Sequence, residues 1–200
     1  MCHELAMIRA ITQLSSPEKE FKCVFVAPNK ALCQQRALMW EKSFSSLGLK
    51  VIEVTGDTEL NQSLSLIAKA NIIITTPEKW DSLTRAWRSH IFLFGSLALL
   101  LIDEIHHIHE DRGAVLETIV VRMRSVGDAY RHRAPDKSDH ILRVVALSAT
   151  LPNIEDVGAW LKCPPKNIHY FDETFRPGNF FSSSLILFCL FVFTEILSSM

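Results

Sequence analysis

Five short apolar runs punctuate the chain, and three of them show no alternation at all. CVFVA (Cys23 to Ala27), VIEV (Val51 to Val54), IIIT (Ile72 to Thr75), LALLLI (Leu97 to Ile102) and VVALSA (Val144 to Ala149) each have the length of a strand. Apolar residues on both parities imply strands covered on both faces. Between the runs lie longer segments predicted as helices: about Lys30 to Leu47, Glu59 to Ala68, Glu78 to Trp87, Ala114 to Ser125 and Ile154 to Leu161. In the fourth, Leu116, Ile119, Val120 and Met123 fall on one stripe of a helix. Strand–helix alternation of this kind predicts a doubly wound α/β domain with a parallel sheet over roughly Met1 to Asp172.

The composition bounds the chemistry. The 200 residues are 48% hydrophobic and 22% charged, with a net charge of -1, so nucleic acid must be met by a local basic face. The five cysteines (Cys2, Cys23, Cys33, Cys163, Cys189) contain no C-x-x-C pair, which argues against a disulfide framework or zinc module. No apolar segment follows basic residues at the start, so no signal peptide is predicted. The run Leu185 to Phe193 is about half the length that spans a bilayer. The polar stretch Gly127 to His140 is predicted as an exposed loop. Its Arg131, Arg133 and Lys137 are a nucleic-acid candidate, balanced by Asp128, Asp136 and Asp139 in a plainly solvated segment.

In an open parallel sheet, ligands bind at the carboxyl ends of the strands. Asp103 and Glu104 stand there, directly after LALLLI. The first acid can hold Mg²⁺ against nucleotide phosphates and the second can orient water, although a strand that merely ends in acids reads the same way. His107 and His109 are two apart, a spacing that does not place both on one helix face, and no cysteine is near. His106 reads as a polar relay beside the carboxylates. Ser148, Ala149 and Thr150 close the last strand. Their hydroxyls are placed to hydrogen-bond Asp103 or His106, or to cap the next helix. APNKAL (Ala27 to Leu32), TGD (Thr55 to Asp57) and TTPEKW (Thr75 to Trp80) follow strands and open helices. Together they can form a track for a nucleic-acid backbone; singly, each is a turn with a helix cap.

Taken in order, DEIH (Asp103 to His106), SAT (Ser148 to Thr150), APNKAL, TGD and TTPEKWD resemble the first motor domain of superfamily 2 DExH helicases. The RG of Asp111-Arg112-Gly113 and the run ATLPNIEDVGAWL (Ala149 to Leu161) are similar to the Ski-like branch. KALCQQR (Lys30 to Arg36), TGDT (Thr55 to Thr58) and TTPEKWDSLTRAWR (Thr75 to Arg88) look most like the helicase-for-meiosis family, DNA helicases of meiotic crossing-over. The likeness covers about Met1 to Pro177.

The resemblance implies a RecA-like doubly wound parallel sheet of the P-loop NTPase type. It implies ATP and Mg²⁺ as cofactors, DNA (single strand or branched duplex) as partner and a nuclear location; no zinc is expected from the histidine and cysteine spacing, and no membrane partner from the short apolar run. Asp103 would bind Mg²⁺ and Glu104 would activate water. His106, Ser148, Ala149 and Thr150 would couple nucleotide state to strand movement, and Lys30, Arg36, Gly56, Thr76, Pro77 and Lys79 would lie along the DNA backbone. None of the seven glycines is followed by Lys, so the family's G-x-x-x-x-G-K-[ST] phosphate loop is not in these residues. HELAMIRAI (His3 to Ile11) resembles the helix that follows that loop. The expectation is therefore a partial first motor domain over 1–177, without its first strand, its phosphate loop or the second motor domain. The segment 178–200 is expected to be an apolar tail outside the family. Such a chain is expected to be inactive alone as an ATP-dependent DNA helicase. A truncated isoform that binds nucleic acid or a partner without catalysis is the alternative.

Overall fold

The computed structural model describes residues 2–14, 21–56, 59–110, 112–134, 141–148, 151 and 153–169. Five strands form one parallel sheet: β1 (Cys23–Val26), β2 (Val51–Val54), β3 (Ile72–Thr75), β4 (Leu99–Ile102) and β5 (Arg143–Ala146), in the order β2-β3-β1-β4-β5. The pairing is in simple register, with Cys23 beside both Ile72 and Leu99. The ladder has no interior gap among the described strands.

Among the described residues seven α-helices accompany the sheet: α1 (Cys2–Ile11), α2 (Lys30–Phe44), α3 (Leu60–Ala68), α4 (Pro77–Thr84), α5 (Ile91–Gly95), α6 (Gly113–Arg133) and α7 (Ile154–Trp160). The apolar strands divide their side chains by parity between two cores. Val24, Val26, Ile73, Leu100, Ile102, Val144 and Ala146 face one side, against Trp80 of α4, Phe94 of α5 and the α6 stripe. Cys23, Phe25, Ile72, Ile74, Leu99, Leu101 and Val145 face the other, against Met7 of α1 and Cys33, Trp40 and Phe44 of α2. That division is why the runs lack alternation: both parities are buried.

The expected doubly wound parallel α/β architecture is present, and His3 to Ile11 is helical as the resemblance implied. Several boundaries differ: the helix predicted over Glu78 to Trp87 ends at Thr84, and the short helix Ile91–Gly95 is not among the predicted ones. The helix predicted over Ala114 to Ser125 continues to Arg133, so Gly127 to Arg133 is not a loop. Val126, Gly127 and Tyr130 extend the buried stripe by another two turns, while Asp128, His132 and Arg133 lie on the exposed side. Their polarity reflects that exposed face, which is what made the segment read as a loop. Lys137 lies outside the described residues. The last strand, predicted over Val144 to Ala149, is Arg143–Ala146. The three-residue 3₁₀ turn Ser45–Leu47 finishes the segment predicted as helix to Leu47, with Gly48 left-handed after it. Leu185 to Phe193 lies outside the described residues.

Helix placement sets the site. The connection leaving β1 runs through α2 on one face of the sheet, whereas its neighbours β3 and β4 lead into α4 and α6 on the other. Where adjacent strands send their helices to opposite faces, a crevice opens beyond their carboxyl ends.

Candidate functional site

The crevice is a cavity of about 110 Å³ lined by Pro28, Pro77, Asp103, Glu104, His107, Glu110, Arg112 and Leu116. Each of three strand ends supplies part of it: β1 through Pro28, β3 through Pro77, β4 through the two acids.

Asp103 is fixed by its own backbone, which donates to the Val26 carbonyl at 3.0 Å. Burial raises the carboxyl above its ordinary range, and the neighbouring Glu104 charge pushes the same way; the Arg36 cation opposes both. Glu104 is left-handed, with φ 53° and ψ 50°. A side chain in that region costs roughly 1–2 kcal/mol, so the surrounding structure must impose it. The next residue shows how. Ile105 is fully buried, and its N–H donates to the Leu147 carbonyl at 2.8 Å, while Leu147 donates back to Ile102 at 2.9 Å. The acids are thereby tied to the end of β5.

A 3₁₀ helix, Ile105–His109, follows. His106 Nδ1 lies 3.2 Å from Glu104 Oε2, beside the carboxylates as expected. His107 Nδ1 pairs with Glu110 at 2.7 Å, and His109 Nε2 lies 3.3 Å from Asn153 Oδ1. Among the described residues no three His, Cys, Asp or Glu side chains converge as metal ligands. Two adjacent carboxylates with hard oxygen donors suit Mg²⁺, which takes one or two protein carboxylates and completes its shell with water and phosphate.

Ser148 is 5% exposed, and its hydroxyl has no hydrogen-bond partner among the described residues. The bond to Asp103 or His106 that its position suggested is not made. Ala149 and Thr150 lie outside the described residues. Ser148 is therefore a buried donor and acceptor left over at the mouth, of the kind that calls for an explanation.

The track residues are brought to the same edge. Asn29 caps α2, its Oδ1 accepting from Leu32 N–H at 2.9 Å, and this leaves Lys30 exposed at the helix start. A Cβ on Gly56 would stand 3.1 Å from Lys30 Nζ, so the bare glycine lets the ammonium lie against the turn after β2. Thr75 Oγ1 donates to the Val54 carbonyl at 2.7 Å and joins the ends of β3 and β2. Thr76 and Pro77 are buried, which leaves Lys79 as the half-buried cation of that turn.

Arg36 is placed differently from the others. It pairs at 3.4 Å with Glu4 of α1, whose carboxylate also accepts from Trp40 Nε1 at 2.8 Å. Behind it His3 is 2% exposed; burial, with the Arg36 charge, lowers its imidazole to about 3, so it is neutral. Sequence reasoning gave no role to Glu4, Glu78 or Arg112. Arg112 meets the Pro28 carbonyl across 84 residues of chain, and no local signal announces a contact of that span.

A profile of the DEAD/DEAH box helicase family matches residues 1–157. The chain is 44% identical over 178 residues to "Probable ATP-dependent DNA helicase HFM1" of Xenopus tropicalis, spanning 87% of this chain and 13% of that protein. It is 43% identical over 176 residues to "ATP-dependent DNA helicase MER3" of Saccharomyces cerevisiae, spanning 86% of this chain and 14% of the relative. The chain thus spans about one seventh of the length of these relatives. Among solved structures, the DUF1998 helicase MrfA shares the fold, with a TM-score of 0.64 at 22% identity over 80% of this chain and 24% of that one. The parallel sheet, the Asp-Glu mouth on β4 and the match over most of the length agree: this chain belongs to the DEAD/DEAH box helicase family.

Proposed function

We propose that these residues form part of the nucleotide- and DNA-handling motor domain of an ATP-dependent DNA helicase acting in the nucleus during meiotic recombination. The observation that carries the reading is the convergence of two adjacent carboxylates and three basic or glycine-bearing turns on one edge of one sheet. The 43–44% identity to relatives named as DNA helicases favours DNA over RNA.

In this reading Asp103 would hold Mg²⁺, which neutralises phosphate charge when bound. Burial and the Glu104 charge favour the protonated acid, so a cation beside Asp103 would restore its carboxylate. Glu104 orients the attacking water and accepts its proton, with His106 at 3.2 Å as its next polar neighbour. Ile105 and Leu147 join the acids to β5, so a shift of Glu104 moves the Ser148 segment with it. Lys30, Gly56 and Lys79 bear on the DNA backbone and position it without reading its sequence, and the buried Thr76 and Pro77 set the turn that presents Lys79 to it. Arg36 serves this track from the inside, through Glu4 and α1. Residues 1–177 carry the motor-domain part, and 178–200 lie outside it.

The test is a titration of the 200-residue chain with labelled single-stranded DNA at several salt concentrations. Binding is expected at low salt, and Lys30→Ala and Lys79→Ala should each reduce the salt slope by about one. An equal-length RNA should compete less well than DNA. A folded chain without affinity for DNA, or lysine variants that bind like the parent, would overturn the reading.

A further inference from the structure

Arg112 stands where the 3₁₀ helix after Glu104 meets α6. The chain is pinned at that point: a Cβ on Gly113 would come within 1.9 Å of the Ile108 carbonyl oxygen, so only glycine lets α6 begin there. From this fixed root the guanidinium reaches two other segments. Its Nη1 donates to the Pro28 carbonyl at 2.6 Å, and its Nε lies 3.1 Å from Glu78 Oε1. Pro28 belongs to the turn that carries Lys30, and Glu78 to the first turn of α4, which carries Lys79. One planar fork therefore bridges two of the three track turns, and the same side chain lines the cavity beside Asp103 and Glu104.

We propose that Arg112 is a positioning residue for the nucleic-acid track, holding the Lys30 and Lys79 turns at a fixed separation. The proposal rests on the nucleic-acid reading above and adds how its two lysines are set. A guanidinium suits the task because its donors are coplanar and rigid, so two partners fix it in direction as well as distance. The Arg112–Glu78 pair is half-exposed, at 53% and 49%, and contributes little to stability by itself. Its effect enters through pre-organisation: turns already at the bound spacing need no ordering when DNA arrives.

Direct contact between Arg112 and a phosphate is the competing role, and Glu78 separates the two. Glu78 is an anion beside the track, so on charge alone Glu78→Gln should tighten DNA binding. If Glu78 helps Arg112 hold the turns apart correctly, the same substitution should weaken it.

The experiment is fluorescence anisotropy with a labelled single-stranded DNA and the 200-residue chain at low salt, with a thermal melt of each variant as the folding control. Arg112→Ala should weaken binding roughly twofold to fivefold, as expected when the two turns lose a partly exposed pair that pre-organises them. Glu78→Gln should weaken it about twofold, with an unchanged melt, and should add nothing to Arg112→Ala. Arg112→Lys keeps the charge but not the fork, so it should fall near Arg112→Ala. Glu78→Gln binding as tightly as the parent or tighter, or Arg112→Lys binding like the parent, would overturn the proposal. If Lys30→Ala weakens binding while Arg112→Ala and Glu78→Gln do not, only the positioning role fails. If the folded parent binds no DNA, the nucleic-acid reading fails and the positioning role falls with it.

Discussion

Along β1 and β4 every residue from Cys23 to Val26 and from Leu99 to Ile102 is at most 1% exposed, and every strand residue pairs on both sides. One or two residues further on, the same chain breaks several rules at once. Asp103 holds a carboxyl in a site that disfavours its charge, Glu104 occupies a left-handed conformation, and Ser148 buries a hydroxyl with no partner among the described residues. The interior of the sheet lowers free energy at each position; its carboxyl edge raises it at three positions within one small region. Locally costly arrangements persist only where the surroundings over-determine them, and they cluster where a ligand is handled. The contrast makes a directional claim: substitutions in the strands should destabilise, and substitutions of the edge residues should stabilise.

The largest effect belongs to the interior. Phe25 is fully buried on β1, with its ring edge-on to His3 at 5.0 Å and to Trp40 at 4.9 Å. Phe25→Ala should cost about 3–5 kcal/mol, the sum of lost transfer energy and a cavity between α1, α2 and the sheet. Urea unfolding reads this as a fall in midpoint at constant slope. A cost below about 1 kcal/mol would mean that the α1–α2 side collapses freely and is not a packed core.

Much of this contrast was visible in the residues themselves. Non-alternating runs such as IIIT announced strands covered on both faces, and the acids after LALLLI announced a strand mouth. Three features were not visible, each for a physical reason. The α6 continuation was hidden because Asp128, Arg131 and His132 are polar for a solvated helix face as much as for a loop, and only Val126 and Tyr130 mark the buried stripe. The tie from Ile105 to Leu147 is a backbone bond, for which side-chain identity gives no cue. The inward turn of Arg36 depends on Glu4, 32 residues earlier, and an exposed basic residue near a strand end looks the same whether it faces DNA or a carboxylate.

Glu104 sharpens the comparison next. Glycine removes the left-handed penalty of roughly 1–2 kcal/mol but loses more backbone entropy on folding, about 0.5–1 kcal/mol. The His106 contact it gives up is partly exposed and worth little. Glu104→Gly should therefore stabilise the chain by about 0.5–1 kcal/mol, read as a higher melting temperature. A loss of more than about 1 kcal/mol would show that the Glu104 side chain holds the mouth together, and the edge would no longer contrast with the core in the way described.

Asp103 gives the smallest shift and the most specific signature, because it depends on pH. Its carboxyl titrates above the ordinary 3.8, first because it is buried and then because Glu104 is adjacent. Between the unfolded value and the raised folded one, the native chain binds more protons than the unfolded chain. Stability therefore falls as pH rises through that window, and the full penalty stands above it. Asp103→Asn keeps the shape and removes the charge, so it should melt higher than the parent at pH 7. Its advantage should shrink as pH falls through the raised folded value of Asp103 and the carboxyl takes up its proton, and millimolar Mg²⁺ should also narrow the gap by stabilising only the parent. A variant that melts lower than the parent at pH 7, or an advantage that does not change with pH, would mean that Asp103 is held by interactions favouring its charged form. The β4 mouth would then be an ordinary, well-satisfied strand end.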